Sequence, residues 1–179
     1  MLKINNEVKR HVIAALVDNE YGTLARVVGL FSARGYNIES LTVAQVDAAA
    51  HLSRITIVTS GTSRVIEQIK VQLQRIVPVY LVSDLTNEGA HIERELALIK
   101  VLGSGEFRNE ALRVGDIFRA RVVDATVDSL VFEVTGTSDK IDAFVALLQP
   151  LGLQEVCRTG VTAIARGTTI LNVQPDEEL

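Results

Sequence analysis

The sequence predicts an α+β protein made of two consecutive βαββαβ units of the ferredoxin-like kind. Three observations carry that prediction. One order of apolar alternation, helical stripe and turn residues can be read twice along the 179 residues. The second helix of each copy runs into a proline, Pro78 in the first and Pro150 in the second. A polar stretch, Thr86 to Arg94, parts the two copies. The expected organisation is a first domain at 9–86, a linker at 87–94, a second domain at 95–167 and a tail at 168–179. A hydrophobic content of 47% is ample for two cores.

In the first unit, His11 to Val17 is rich in Val, Ile and Leu, as suits a central strand buried on both faces. A helix follows, with Leu24, Val27, Val28 and Phe31 forming one apolar stripe and Arg26 and Arg34 away from it. Gly35 offers a left-handed stop after Arg34. Gly29, in mid-helix, is expected to mark close packing against the sheet or a neighbouring subunit. Strands at Asn37 to Val46 and Leu52 to Thr59 pair as a hairpin turning near Asp47 to Ala50. The cluster Ser60-Gly61-Thr62-Ser63 starts a second helix bearing Val65, Ile66, Ile69, Leu73 and Ile76. A strand from Val79 to Leu85 ends the unit.

The second unit opens with a strand at Leu96 to Leu102 and a flexible Gly103-Ser104-Gly105 loop. A helix at Arg108 to Ala120 places Leu112, Val114, Ile117 and Phe118 on its apolar side. Arg121 to Thr126 and Leu130 to Thr135 make a hairpin. Thr137 or Ser138 then caps a helix with the stripe Ile141, Phe144, Val145 and Leu148. One last strand is expected from Leu153 to Ala165, before a tail ending in Asp176-Glu177-Glu178.

Charge excludes some functions. Residues 1–86 hold nine basic against seven acidic side chains, and 87–179 hold nine against fifteen, giving +2 and −6. Neither half can neutralise a phosphate backbone, so nucleic acid is not an expected partner. The six-residue apolar run Val12 to Val17 is too short to span a membrane, and the chain reads as cytoplasmic. The single cysteine, Cys157, excludes an intrachain disulfide and is expected to be a buried small hydrophobe. The three histidines (His11, His51 and His91) are scattered, with no partner at ligand spacing, so no metal site is expected. Gly103-Ser104-Gly105 fails as a dinucleotide fingerprint because Arg108 stands where the third glycine is required. Thr135 to Lys140 fails the phosphate-loop spacing. No catalytic constellation is evident, and no catalytic residue is assigned.

The stretch from Asp18 to Leu41 holds the remaining chemistry. Gly22 precedes the first helix, whose unpaired N–H groups favour a carboxylate. Asn19 and Asn37 flank the helix and could meet an ammonium and a carboxylate, while Leu24 and Ile38 suit a small aliphatic side chain. These parts fit a free amino acid better than a nucleotide or a sugar. Taken singly, Gly22 is an ordinary turn glycine and each Asn an ordinary cap or turn residue. The residues alone leave the ligand and structural readings both open.

Asn19-x-x-Gly22-Thr23-Leu24, followed by Phe31-Ser32-x-Arg34-Gly35-Tyr36-Asn37-Ile38-Glu39-Ser40-Leu41-Thr42-Val43, resembles the ACT domain of the small regulatory subunit family of acetohydroxyacid synthase (acetolactate synthase). Ala90 to Val101 is similar to the opening of that family's C-terminal domain, and the likeness runs from about His11 to Arg166. The resemblance implies a non-catalytic subunit that activates a large catalytic subunit and confers feedback inhibition by valine in branched-chain amino acid biosynthesis. Thiamine diphosphate, Mg²⁺ and FAD would belong to the catalytic chain, with none on this one. It further implies a homodimer through the ACT domains, with valine at the interface. Carried over by position, the effector contacts are Asn19, Gly22, Thr23 and Leu24, with Asn37 and Ile38 from the other protomer or the next strand. Glu93-Arg94-Glu95 and the hairpin around Ala48 are candidate contacts with the catalytic subunit. The alternative is a free-standing ACT-type amino-acid sensor acting on another enzyme or a transcription factor.

Overall fold

The computed structural model describes residues 7–171, and the chain divides into two compact units. The first comprises the residues up to Ile92 together with those from Val161 on, and the second runs from Glu93 to Gly160.

The first unit contains β1 (Lys9–Asp18), α1 (Thr23–Arg34), β2 (Ser40–Asp47), β3 (Leu52–Gly61), α2 (Ser63–Leu73) and β4 (Val79–Asp84). Its antiparallel sheet has the order β2-β3-β1-β4, the ferredoxin-like arrangement. Ile13, Ala15 and Val17 of β1 share a core with Val27 and Phe31 of α1 and with Ile66, Ile69 and Leu73 of α2. The helix stops as expected. Gly35 takes a φ of 67°, its N–H bonds the Ser32 carbonyl at 3.3 Å, and the Tyr36 N–H bonds the Phe31 carbonyl at 3.0 Å. The Tyr36 ring meets Phe31 edge-on at 6.1 Å and seals that end. At the start of α2, Thr62 Oγ1 accepts the Val65 N–H.

As the apolar run of β1 implies, its two faces are both buried, but the cover on the second face comes from the far end of the chain. Val12, Ala14 and Val58 point away from the helices and form a separate cluster with Leu85, Val161 and Ala163. The last two belong to a short segment, β9 (Thr162–Ala165), and its entry. Polar side chains on the same sheet face hold it down. The Val161 N–H donates to Ser40 Oγ at 2.7 Å, and Thr42 Oγ1 donates to the Val161 carbonyl at 2.8 Å. Arg54 Nη2 donates to the Ala163 carbonyl, also at 2.8 Å. The register makes this possible: Ser40 pairs with Val58, Thr42 with Thr56 and Ala44 with Arg54, so alternate residues of β2 and β3 all face the strap.

The second unit contains β5 (His91–Leu102), α3 (Gly105–Phe118), β6 (Arg121–Ala125), β7 (Ser129–Gly136), α4 (Ser138–Leu148), a 3-10 turn at Gln149–Leu151, and β8 (Leu153–Arg158). Strand order is again of one kind, β6-β7-β5-β8. Ala97, Ile99, Val101, Leu130, Phe132 and Val134 pack against Ala111 and Val114 of α3 and Ile141, Phe144 and Leu148 of α4. Gly115 lets α3 approach closely, because a Cβ there would lie 2.7 Å from the Phe132 ring.

Several expectations are corrected. The strand expected over Leu153 to Ala165 breaks at Thr159 and Gly160, where Gly160 has a φ of 83°. The segment from Val161 on groups by its contacts with the first unit, because Val161 and Ala163 find their apolar partners there. Part of the expected tail, 168–171, also lies in the first unit, while Asp176 to Glu178 fall outside the described residues. Strand β5 begins at His91, within the stretch expected as linker, 87–94. The turn before it is built on Asp84, which accepts hydrogen bonds from the Thr86 N–H and from Asn87 Nδ2. Asp84 also pairs with His11 at 3.0 Å, both side chains buried. α3 begins at Gly105, and Ile117 is 76% exposed rather than part of the core. Thr23 is buried and Leu24 exposed, the reverse of the apolar stripe expected for α1. Gly29 faces open space within this chain, so the sheet does not crowd it. Cys157 is exposed.

Candidate functional site

The N-terminus of α1 is built by a sharp exit from β1. The Asn19 N–H bonds the His51 carbonyl at 2.7 Å, tying the end of β1 to the β2–β3 turn. Gly22 then takes a φ of 85°, a conformation that L side chains rarely adopt. The Thr23 N–H bonds the Glu20 carbonyl at 3.4 Å, and no side chain caps the helix, which leaves the N–H groups of Leu24 and Ala25 without a side-chain acceptor. A Cβ at Gly22 would meet nothing within 4 Å, and the glycine is thus required by backbone angle rather than by crowding.

Thr23 is 3% exposed, and its Oγ1 is a buried side-chain oxygen with no hydrogen-bond partner among the described residues. Such a group costs free energy until something bonds it, about 1–3 kcal/mol in typical proteins. Leu24 is 41% exposed and Asn19 is exposed, so both are accessible beside it. Close by in sequence, Asp18 accepts a hydrogen bond from the Tyr80 hydroxyl at 3.2 Å. Desolvation and the Asp18 charge together push the Tyr80 hydroxyl's pKa up. The sequence gives no sign of this pairing, because Tyr80 lies on β4, 62 residues from Asp18.

Asn37 and Ile38 stand elsewhere. Asn37 is exposed and its carbonyl accepts a hydrogen bond from Thr59 Oγ1 at 2.6 Å, while Ile38 is half-buried against the helix-side core. Both follow the C-terminal end of α1, whose 12 residues span about 18 Å at 1.5 Å per residue. The six residues therefore form two groups within one chain, Asn19 to Leu24 at the helix start and Asn37 with Ile38 beyond its end.

Glu95, a candidate contact with a catalytic subunit, is 3% exposed and committed inside the second unit. Arg158 binds it through Nε and Nη2, and also reaches Asp142 Oδ1 at 2.5 Å. The bonds to Glu95, ahead of those to Asp142, raise the Arg158 pKa despite partial burial.

Two family models match the chain: "AHAS small subunit-like ACT domain" over residues 13–81 and "Small subunit of acetolactate synthase" over 94–167. The acetolactate synthase isozyme 3 small subunit of Salmonella typhimurium is 48% identical, over 90% of this chain and 99% of that protein. The chain belongs to the acetolactate synthase small-subunit family. A probable small subunit from Archaeoglobus fulgidus is 47% identical, covering 88% of this chain and 98% of its own length. The crystal structure of the Thermotoga maritima small subunit superposes with a TM-score of 0.80 at 36% identity, over 90% of this chain and 99% of that one. Membership with an ACT domain supports a regulatory role within an acetolactate synthase. Among the described residues, no helix is long and apolar enough to cross a membrane.

Proposed function

We propose that two copies of this chain pair through their ACT domains, that valine binds between them, and that the dimer activates a large catalytic subunit and carries valine inhibition to it. Thiamine diphosphate, Mg²⁺ and FAD belong, on this reading, to the catalytic subunit. The observation that carries it is the split of the site along α1. An open helix start with an unsatisfied Thr23 hydroxyl stands at one end, and Asn37 with Ile38 follows the other. A two-fold axis that sets two α1 helices antiparallel brings the first group of one copy to the second group of its partner.

Valine suits the composite. Its carboxylate takes the first-turn N–H groups, worth about 0.3–1 kcal/mol from the helix dipole and up to about 2 when partly buried. An Asn amide oxygen accepts from the ammonium, and Leu24 and Ile38 enclose the isopropyl group. Inhibition then requires that valine bind one arrangement of the dimer more tightly than another, since only differential affinity can shift an equilibrium.

The test is acetolactate formation by the reconstituted holoenzyme with and without valine. Asn37→Ala and Gly22→Asp, the latter placing a carboxylate beside the open N–H groups, should each abolish inhibition and keep activation. A fully valine-sensitive Gly22→Asp holoenzyme would refute the site.

A further inference from the structure

The sheet face opposite α1 and α2 holds a cavity of about 400 Å³ between β3, β4 and the returning C-terminal segment. Leu81, Leu85, Ile164 and Ile170 give it aliphatic walls, and Arg54 and Glu88 are its charged members. That size lies within the range of about 300–1,000 Å³ usual for small-molecule sites.

Arg54 is the unusual group. It pairs with Leu16 and Ala44 in the sheet register, so its side chain rises from the face that the strap covers. The guanidinium is half-buried, and its bond to the Ala163 carbonyl uses Nη2 alone. Among the described residues no carboxylate lies within ion-pair distance of it. Desolvation accordingly lowers its pKa. A half-buried cation bonded only to a neutral carbonyl lacks the counter-charge that normally offsets its burial. Glu88 does not supply it, because its carboxylate is taken by Ser83 Oγ, the Asp84 N–H and Lys70 Nζ. Burial draws the Glu88 pKa upward, but those three hydrogen bonds outweigh it and keep the group below its ordinary value, hence ionised.

We propose that this cavity binds a small aliphatic monocarboxylate. Its carboxylate lies against the free N–H groups of Arg54 and its hydrocarbon chain against Leu81, Leu85, Ile164 and Ile170. The ionised Glu88 opposes a second anionic group, which selects monoanions over dicarboxylates. The site is distinct from that at the start of α1, which belongs to the helix side of the sheet.

Isothermal titration of the full chain with 3-methylbutanoate, with 3-methylbutylamine as the charge-reversed control, tests the assignment. Saturable binding is expected for the carboxylate and none for the amine. Arg54→Gln and Ile164→Glu should each weaken it at least tenfold. Ile164→Glu leaves the Arg54–Ala163 bond in place, so a loss there reports the site rather than a detached strap. Valine binding should be unchanged in both variants. Equal binding by the variants and the unaltered chain would overturn the proposal. Loss of the 3-methylbutanoate signal in Asn37→Ala would also overturn it, by moving the ligand to the site proposed for valine. Binding seen only after joint Asp176→Asn, Glu177→Gln and Glu178→Gln substitution would do so as well, by making the chain's own acidic end the partner of Arg54.

Discussion

The two units share one strand order yet treat the far faces of their sheets differently. In the first, that face carries Val12, Ala14 and Val58 beneath Val161 and Ala163, sealed by Ser40, Thr42 and Arg54. In the second, the corresponding face carries Leu98, 40% exposed, among ion pairs of Lys100 with Glu155 at 3.1 Å and Arg121 with Glu133 at 2.7 Å. An antiparallel sheet can leave one face to solvent when that face is polar enough, and the second unit does so. The first cannot, because its central strand is apolar on both sides. What separates the units is therefore composition along one strand, β1 against β5, rather than topology.

That comparison is most strongly tested by placing a carboxylate on each far face. Val161→Asp buries an unpaired charge and should cost about 3 kcal/mol or more, whereas Leu98→Asp should stay within about 1 kcal/mol. Urea unfolding midpoints would measure both, and equal losses would show that the strap contributes little to the first unit. A smaller contrast concerns the two mid-helix glycines. Gly115→Ala drives a methyl into the Phe132 ring, which is itself packed edge-on against Phe144 at 5.7 Å, and should cost about 1–3 kcal/mol. Gly29→Ala meets open space and should stabilise the chain by about 0.4–1 kcal/mol, read as a rise in the same midpoint. A loss at Gly29 would instead reveal a second copy packed on that face of α1. An effect of comparable size is expected from Thr42→Val, which removes one hydrogen bond to the strap and should lower stability by about 0.5–1.5 kcal/mol, read from the same midpoint.

The order of elements was legible because it rests on short-range patterns: apolar runs, the glycine at Gly35, and prolines at Pro78 and Pro150. The covering strap was not, since Ser40 and Val161 lie 121 residues apart and periodicity says nothing about such distances. The same holds for His11 with Asp84, 73 residues apart, and for Glu95 with Arg158, 63 apart. The misread stripe of α1 has a different cause. Thr23, Val27 and Phe31 follow one another at four-residue spacing on the buried face. A count of apolar residues chose Leu24 over the threonine whose position on the helix faces inward. At the candidate site, the residue types and the start and end of the helix could be read from the chain. The unpartnered state of the Thr23 hydroxyl could not, because it depends on what surrounds it in three dimensions.

The central claim is that Asn19 to Leu24 of one copy and Asn37 with Ile38 of another make one site. Mixing unfolded Gly22→Asp and Asn37→Ala chains, refolding them together and titrating valine by calorimetry tests it directly. In a mixed dimer with shared sites, one site carries both substitutions and the other carries none. Random pairing should therefore restore valine binding at about a quarter of the wild-type number of sites, although neither variant binds alone. If each site lies within a single chain, every site in the mixture keeps one substitution, no binding returns, and the shared-site account is contradicted.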